Sequence, residues 1–535
     1  MDFLLNALRF LGIMFMVLMV FNLMIVVHEW GHFLAARWRG LKVERFQIWF
    51  GKPLWKKTIN GVQYGLGSIP FGGFVALPQM APMEAMEGKN LTDEEAQEVL
   101  PPISPLDKII VAFAGPLFSF GLAVLFAAIV ALPWVGKVVS DGAATTEVGY
   151  VGKGSPAEQA GIKPGDKILT MDGQQVLRFH GMLDSVDWFA ISSQKDTIDV
   201  VVERPGEAAP LSLVLDMSKG WAKSEEDKAA EKALPKPGWL AKVREFVFSR
   251  PPLPSPGMAG RHAPMVGKVY PHSPADEAGL QPNDILRSMD GVPILSSMQV
   301  SDYIESKGSV PIKFGIERGQ KQVDVTMTPR LPDVWTFKQS DGTPIPPSVK
   351  TGIKWDEYGV TTVDHNVAVM PQIKDSLRSI SNILGAMFQP KSKVKATHLS
   401  SAVGIMRLYY RLFEHPDGWR LVLWFSVILN VNLAVLNLLP LPVLDGGHIT
   451  MALIEKVRGR PLTGKPVEWI QSGFAIMLFS LMIVLVLKDI GDFGGGGSGE
   501  AKFLSPAERA KLKDAPGETV PSAPTAPPVS APAPQ

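Results

Sequence analysis

The 535-residue chain contains no cysteine. A disulfide scaffold, a thiolate metal site and a cysteine nucleophile are excluded together, so any bound metal must rest on His, Asp or Glu. An excess of charge of one sign is missing too: 53 Lys+Arg against 52 Asp+Glu leave a formal charge of +1. Nucleic-acid binding that runs on phosphate neutralisation needs a clear basic excess, and this chain has none. What is plentiful is apolar sequence gathered into four uncharged runs, Phe10–Val27, Ile109–Leu132, Leu421–Leu444 and Trp469–Leu487. A hydrocarbon core of about 30 Å takes roughly 20 helical residues, so all four are long enough to cross a bilayer. The first is too long for the apolar part of a signal peptide and has no small-residue cleavage site after it. These runs predict a polytopic α-helical membrane protein with four transmembrane helices.

Basic residues in short loops mark the cytoplasmic side. Arg37, Arg39, Lys42 and Arg45 follow the first run, and Lys456, Arg458, Arg460 and Lys465 follow the third. Segments 41–105 and 446–465 are therefore expected inside, with 134–420 and both termini outside. Alternation from Lys42 to Leu77, with a turn at Asn60-Gly61, predicts strands and a membrane-associated β-hairpin. The outer segment contains a repeat: Ser155–Gly173 (SPAEQAGIKPGDKILTMDG) aligns without a gap to Ser273–Gly291 (SPADEAGLQPNDILRSMDG), with ten of 19 positions identical. Each copy reads as a short helix ended by Gly, a Pro-x-Asp, a strand and an Asp-Gly turn. Such strings resemble PDZ domains, over about 146–216 (with a periphery to about 262) and 264–330. The resemblance implies α+β units that bind extended peptides as an added strand; a bulky cap that binds no peptide is the other reading.

Residues 217–262 read as a charged, then Pro-rich, linker. In the connector 331–420, Ile373, Leu377, Ile380, Leu384 and Met387 mark an amphipathic helix at about 370–388. It lies either on the membrane surface or against the outer domains. Residues 494–535 begin with GGGGSG and turn Pro/Ala/Ser-rich, which predicts a disordered tail whose glycine linker looks added to the chain.

The chemistry is concentrated in VVHEWGHFLAARWRG at the inner end of the first run. His28 and His32 stand at i and i+4, so on a helix both imidazoles leave one face, spaced for one Zn²⁺. Glu29 is offset by one residue and suits the role of general base, then of proton donor to the leaving amine. Ionisable side chains at the end of a membrane helix are costly without a function or a partner. A third ligand has to come from the same depth. Asp445, at the inner end of the third run in NLLPLPVLDGGH, meets that condition. His448 is the rival and lies further into the loop. Pro440 and Pro442 should break the helix here, and Gly446-Gly447 allow a tight turn. Of the amides in this run, Asn430 suits helix packing, whereas Asn432 and Asn437 lie nearer the proposed metal and suit substrate binding.

His28-Glu29-x-x-His32, Asn437-x-x-Pro440-x-Pro442-x-Leu444-Asp445-Gly446 and two PDZ-like repeats between spans two and three resemble the RseP-type bacterial site-2 protease family. The resemblance covers residues 1–493. It implies a zinc metalloprotease of the inner membrane that cuts transmembrane helices after a first protease has trimmed their outer part. Implied substrates are a membrane-spanning anti-sigma factor and remnant signal peptides. Implied ligands are His28, His32 and Asp445 to one Zn²⁺, with Glu29 as base and Asn432 and Asn437 on the substrate side. One stretch departs from the pattern: FQIWFGKPLW places Trp49 where the family's hairpin carries the first Gly of Gly-x-Gly. A membrane-anchored PDZ scaffold with a closed, structural zinc site, His448 completing it, is the alternative reading. An ion transporter fits less well, because the helices show no inverted repeat.

Overall fold

The computed structural model describes residues 2–80, 103–218, 221, 239–337, 345, 347–356, 358–460, 462, 465–494 and 501–513. Much of the charged linker (222–238), the loop 81–102 and the tail 514–535 lie outside the described residues.

Among the described residues four helices are long and apolar enough to cross a membrane: α1 (Asp2–Trp38), α2 (Pro105–Val130), α8 (Gly418–Asn437) and α10 (Lys465–Gly494). α1 has 37 residues, about 56 Å at the rise of an α-helix, so it is longer than the hydrocarbon core is thick and carries the HExxH pattern toward its C-terminal end. α2 is the hub and packs against both α1 and α8. Small residues allow that approach, for a Cβ on Gly31 of α1 would stand 2.4 Å from the Ala114 carbonyl oxygen. Such contacts are how membrane helices associate without a hydrophobic drive between them. The third apolar run is not one helix. α8 stops at Asn437 and α9 (Asp445–Arg458) restarts after the Pro440–Pro442 segment, so the expected span 421–448 is shorter than its hydropathy.

Between α1 and α2 lies a four-stranded sheet of order β2-β3-β1-β4, formed by β1 (Arg45–Phe50), β2 (Trp55–Ile59), β3 (Val62–Leu66) and β4 (Ile69–Ala76). The β2–β3 turn has Asn60 and Gly61 both at positive φ, 50° and 81°, the signature of a type I′ hairpin. Trp49 also lies in the left-handed region (φ 68°), and its indole Nε1 donates to Asn22 Oδ1 of α1 at 2.5 Å. It therefore ties the sheet to α1 while another strand, β4, approaches the HExxH turn.

The segment between α2 and residue 364 begins and ends with one strand pair, β5 (Lys137–Ser140) against β19 (Thr361–Asp364). Within it stand the two repeats. The first has the sheet β10-β9-β7-β8 from β7 (Lys167–Met171), β8 (Gln174–Gln175), β9 (Thr197–Glu203) and β10 (Leu211–Asp216), with helix α3 (Val186–Ser192). The second has β14-β13-β15-β16 from β13 (Ile285–Met289), β14 (Val292–Pro293), β15 (Ile312–Arg318) and β16 (Lys321–Met327), with helix α5 (Ser297–Lys307).

The repeated letters do the same work twice. Ser155 and Ser273 cap one-turn helices by accepting from Glu158 N and Asp276 N. Asp166 and Asp284, both buried, hold Arg204 and Arg318, which also donate to the Gly161 and Gly279 carbonyls. Both units draw a closing strand from a distance, the first from within its expected periphery and the second from beyond residue 330. β6 (Val148–Val151) pairs with β11 (Met258–Gly260), and β12 (Val266–Val269) pairs with β18 (Ile353–Trp355). Strands of three or four residues carry too little alternation to be read locally.

Helix α6 (Val369–Phe388) resolves the question left open for the connector. Ile373 packs in the core of the membrane helices, Ile383 and Met387 against the first repeat, and Gln372 donates to the Ala127 carbonyl of α2. The linker contains α4 (Trp239–Phe248), whose end receives Lys488 Nζ from α10 on the Phe246 and Ser249 carbonyls. A further helix, α7 (Ala402–Glu414), packs on α8 and α1.

The tail is a correction. β20 (Ala501–Lys502) pairs with β17 (Val334–Trp335), Phe503 and Leu504 are buried, and α11 (Pro506–Lys513) follows. The disorder expected over 494–535 is therefore corrected for residues 501–513, while 495–500 and 514–535 lie outside the described residues.

Candidate metal centre and cleft

α1 brings His28 and His32 to one face, a turn apart, and α9 delivers Asp445 from its first position. The break that places Asp445 depends on two glycines. A Cβ on Gly446 would meet the Leu438 carbonyl oxygen at 2.2 Å, and one on Gly447 the Leu441 carbonyl oxygen at 2.0 Å. Only side-chain-free residues let the chain fold back so closely.

His28 Nε2 and His32 Nε2 lie 3.3 Å apart, and each is 3.4 Å from a different oxygen of Asp445. All three residues are buried. Ligands about 2.05 Å from a tetrahedral zinc are separated by about 3.3–3.4 Å; the two Nε2 atoms meet that spacing, and with one Asp445 oxygen all three donors lie within 4.8 Å of one another. Among the described residues this is the group of His, Asp or Glu side chains whose donor atoms converge for an ion. His448, buried one turn along α9, is not part of it.

α2 fixes both imidazoles from behind. His28 Nδ1 is 3.0 Å from Ser119 Oγ, and His32 Nδ1 donates to the Val111 carbonyl at 2.8 Å. With Nδ1 engaged there, Nε2 is turned toward the ligand group, the usual way a second layer orients a metal ligand. Pro116 lies inside α2 and leaves the Ala112 carbonyl, next to Val111, without its helical N–H partner. Gly115 lets the rings in: a Cβ there would stand 2.2 Å from His32 Nε2.

A cleft of about 290 Å³ opens beside the group, lined by Glu29, Gly72, Gly73, Phe74, Val75 and Asn437 among others. Asn437 Nδ2 reaches to 3.4 Å from His28 Nε2. Asn432, expected on the substrate side, does not line this cleft, and its Oδ1 is buried without a protein partner. The cleft-facing strand is β4, the edge of its sheet, rather than the stretch around Trp49. Gly72 sits at φ 73° under the Phe50 ring, where a Cβ would come within 1.9 Å of Cε2. Val111, Gly115 and Ser119 were not singled out in the sequence, and β4 falls within the strands expected over 42–77 without being marked there as the cleft wall. Their signals were the Gly-Pro step inside an apolar run and the Phe-Gly-Gly of β4, since glycine inside a strand marks close backbone approach.

Two histidines and a carboxylate around an open position, with a glutamate beside them, define a metal-dependent hydrolase set among membrane helices. The chain belongs to Peptidase family M50, whose profile matches residues 16–481. A putative zinc metalloprotease of Xylella fastidiosa (strain Temecula1) is 28% identical over 487 residues, covering 90% of this chain and 99% of the relative. The regulator of sigma-E protease RseP of Escherichia coli K12 is 26% identical over 501 residues, covering 88% and 96%. A regulator of sigma E protease of Salmonella typhimurium (strain LT2) is 26% identical over 489 residues, covering 87% and 94%. Among solved structures, the PDZ domain of an SdrC-like protein from Listeria monocytogenes aligns at 26% identity over 17% of this chain and 86% of that one, with a TM-score of 0.14. The protein is a zinc metalloprotease of the intramembrane, site-2 type.

Proposed function

We propose that His28, His32 and Asp445 hold the zinc, that Glu29 is the catalytic base, and that the substrate is a transmembrane helix already trimmed on its outer side. The observation that carries this reading is the convergence of one donor atom each from His28, His32 and Asp445, all within 4.8 Å of one another, with Glu29 on the adjoining cleft wall. Zinc in such a site polarises the scissile carbonyl and acidifies water. Glu29 takes the proton of the attacking water and returns it to the leaving amine.

A helical peptide bond is shielded by its own hydrogen bonds, so the substrate has to unwind first. β4 offers the unwound segment a free sheet edge, with Gly72 and Gly73 permitting close approach. Asn437 stands at the metal side, placed to hold a substrate carbonyl. Basic residues after α1 and within α9 support a cytoplasmic-side site and outer PDZ-like units, in an inner membrane. The relatives' name, regulator of sigma-E protease, supports a membrane-spanning anti-sigma factor as substrate, and the site-2 resemblance adds remnant signal peptides. Extended peptides suit the PDZ-like units.

The test is Glu29→Gln in proteoliposomes with a single-span substrate. Cleavage should fall at least about 10²–10⁴-fold while zinc stays bound; cleavage near the wild-type rate removes Glu29 from the chemistry.

A further inference from the structure

A second cavity, of about 930 Å³, lies on the second PDZ-like unit. One wall is β18 and the other is α5, through Ser301, Ile304 and Glu305. An extended peptide adds to such a strand as a further strand under the helix. Its end wall comes from elsewhere in the chain: Lys502, Phe503 and Glu508, beyond the fourth membrane helix, line it together with Trp335.

This segment is held as a ligand is held. β20 pairs antiparallel with β17, Val334 opposite Lys502 and Trp335 opposite Ala501. Phe503 and Leu504 are 4% and 5% exposed, as low as core residues. The Arg330 guanidinium lies 4.9 Å over the Phe503 ring, which also reaches Gly352 at the head of β18. Asp333 accepts the Leu504 N–H at 2.9 Å and pairs with Arg509 at 2.9 Å. Backbone pairing, an aromatic–aliphatic anchor and a salt bridge are the elements of strand-addition recognition.

Only six residues, GGGSGE, separate α10 from β20. Short tethers of this composition give effective concentrations in the millimolar range. A peptide arriving from outside would compete against a partner that is always present.

We propose that residues 501–508 are a built-in ligand of the second PDZ-like unit, closing one end of its peptide groove. The free peptide it excludes has the same chemistry: an extended strand with adjacent aromatic and aliphatic side chains followed by a basic one.

The test compares the full chain with a chain ending at Gly494, both in detergent, using a fluorescent peptide of residues 500–513 as probe. The shortened chain should bind it saturably, and the full chain at least about tenfold more weakly, as a millimolar internal competitor requires. Replacing Phe503 and Leu504 of the probe by Ala should abolish binding. Equal affinity for both chains, or no binding to a shortened chain that still holds zinc, overturns the proposal.

Because the chain has no cysteine, Val334→Cys with Lys502→Cys tests the docking in the full protein, whatever the shortened chain does. Oxidation should close an intramolecular disulfide in most molecules. Two free thiols throughout would mean that the segment does not dock.

Discussion

Gly115→Ala adds one methyl group to α2 and should disable the metal site without unfolding the helix. The new Cβ would stand 2.2 Å from His32 Nε2, 2.5 Å from its Cε1 and 2.9 Å from His28 Nε2. Ordinary contact needs about 3.5 Å, so a ring must retreat by roughly 1 Å, whereas zinc ligation tolerates about 0.2 Å. The helices cannot slide to relieve it, since Gly31 already sits against Ala114 and both Nδ1 atoms are engaged by α2. Zinc affinity should fall about 10–100-fold and turnover at saturating zinc by about 10²-fold. Alanine is the better helix former by about 1 kcal/mol, so thermal stability without metal should hold or rise. Gly121→Ala on the same helix, with nothing within 4 Å of its Cβ, is the control and should be silent. Chelator competition gives the affinity, and cleavage of a single-span substrate gives the turnover. Wild-type values for Gly115→Ala in both would refute the close packing of α2 behind the histidines.

Gly72→Ala combines a left-handed φ with a clash on Phe50, so β4 should distort, at a cost of about 1–3 kcal/mol. Cleavage should fall while zinc content stays at the wild-type level, and parallel assays of both will show whether the strand serves substrate rather than metal. In the second repeat, Asp284→Asn removes the buried partner of Arg318 and should destabilise that unit by about 2 kcal/mol. Hydrogen exchange should then quicken in β13 and β15 and leave β7 and β9 unchanged; equal protection in both units would show that the pair contributes nothing.

The parts of the site that sequence revealed are those whose geometry is local. His28 and His32 declare themselves because i and i+4 share a helix face whatever surrounds them, and Glu29 follows from its offset. Asp445, more than 400 positions away, was reached only through membrane depth and charge-derived sidedness. Ser119, Val111 and Gly115 had no such handle, because they act across the α1–α2 crossing, and a serine or glycine in an apolar run reads equally as packing. The same limit explains β11 and β18, whose pairing partners lie about 100 residues away and whose three residues show no period. Trp49 stands where the resemblance expects a glycine, and its backbone turns the side chain to Asn22 and leaves the cleft to β4. Phe503 and Leu504 show the reverse case, where two apolar residues in a Pro/Ala-rich context have a partner surface that composition does not disclose.

Zinc content per chain, measured by elemental analysis on the wild type, Asp445→Asn and His448→Ala, tests the central claim most directly and requires no knowledge of the substrate. The three-ligand site predicts about one zinc in the wild type and in His448→Ala, with most of it lost from Asp445→Asn. Full retention in Asp445→Asn, or loss in His448→Ala, would contradict it and point to a different, closed ligand set.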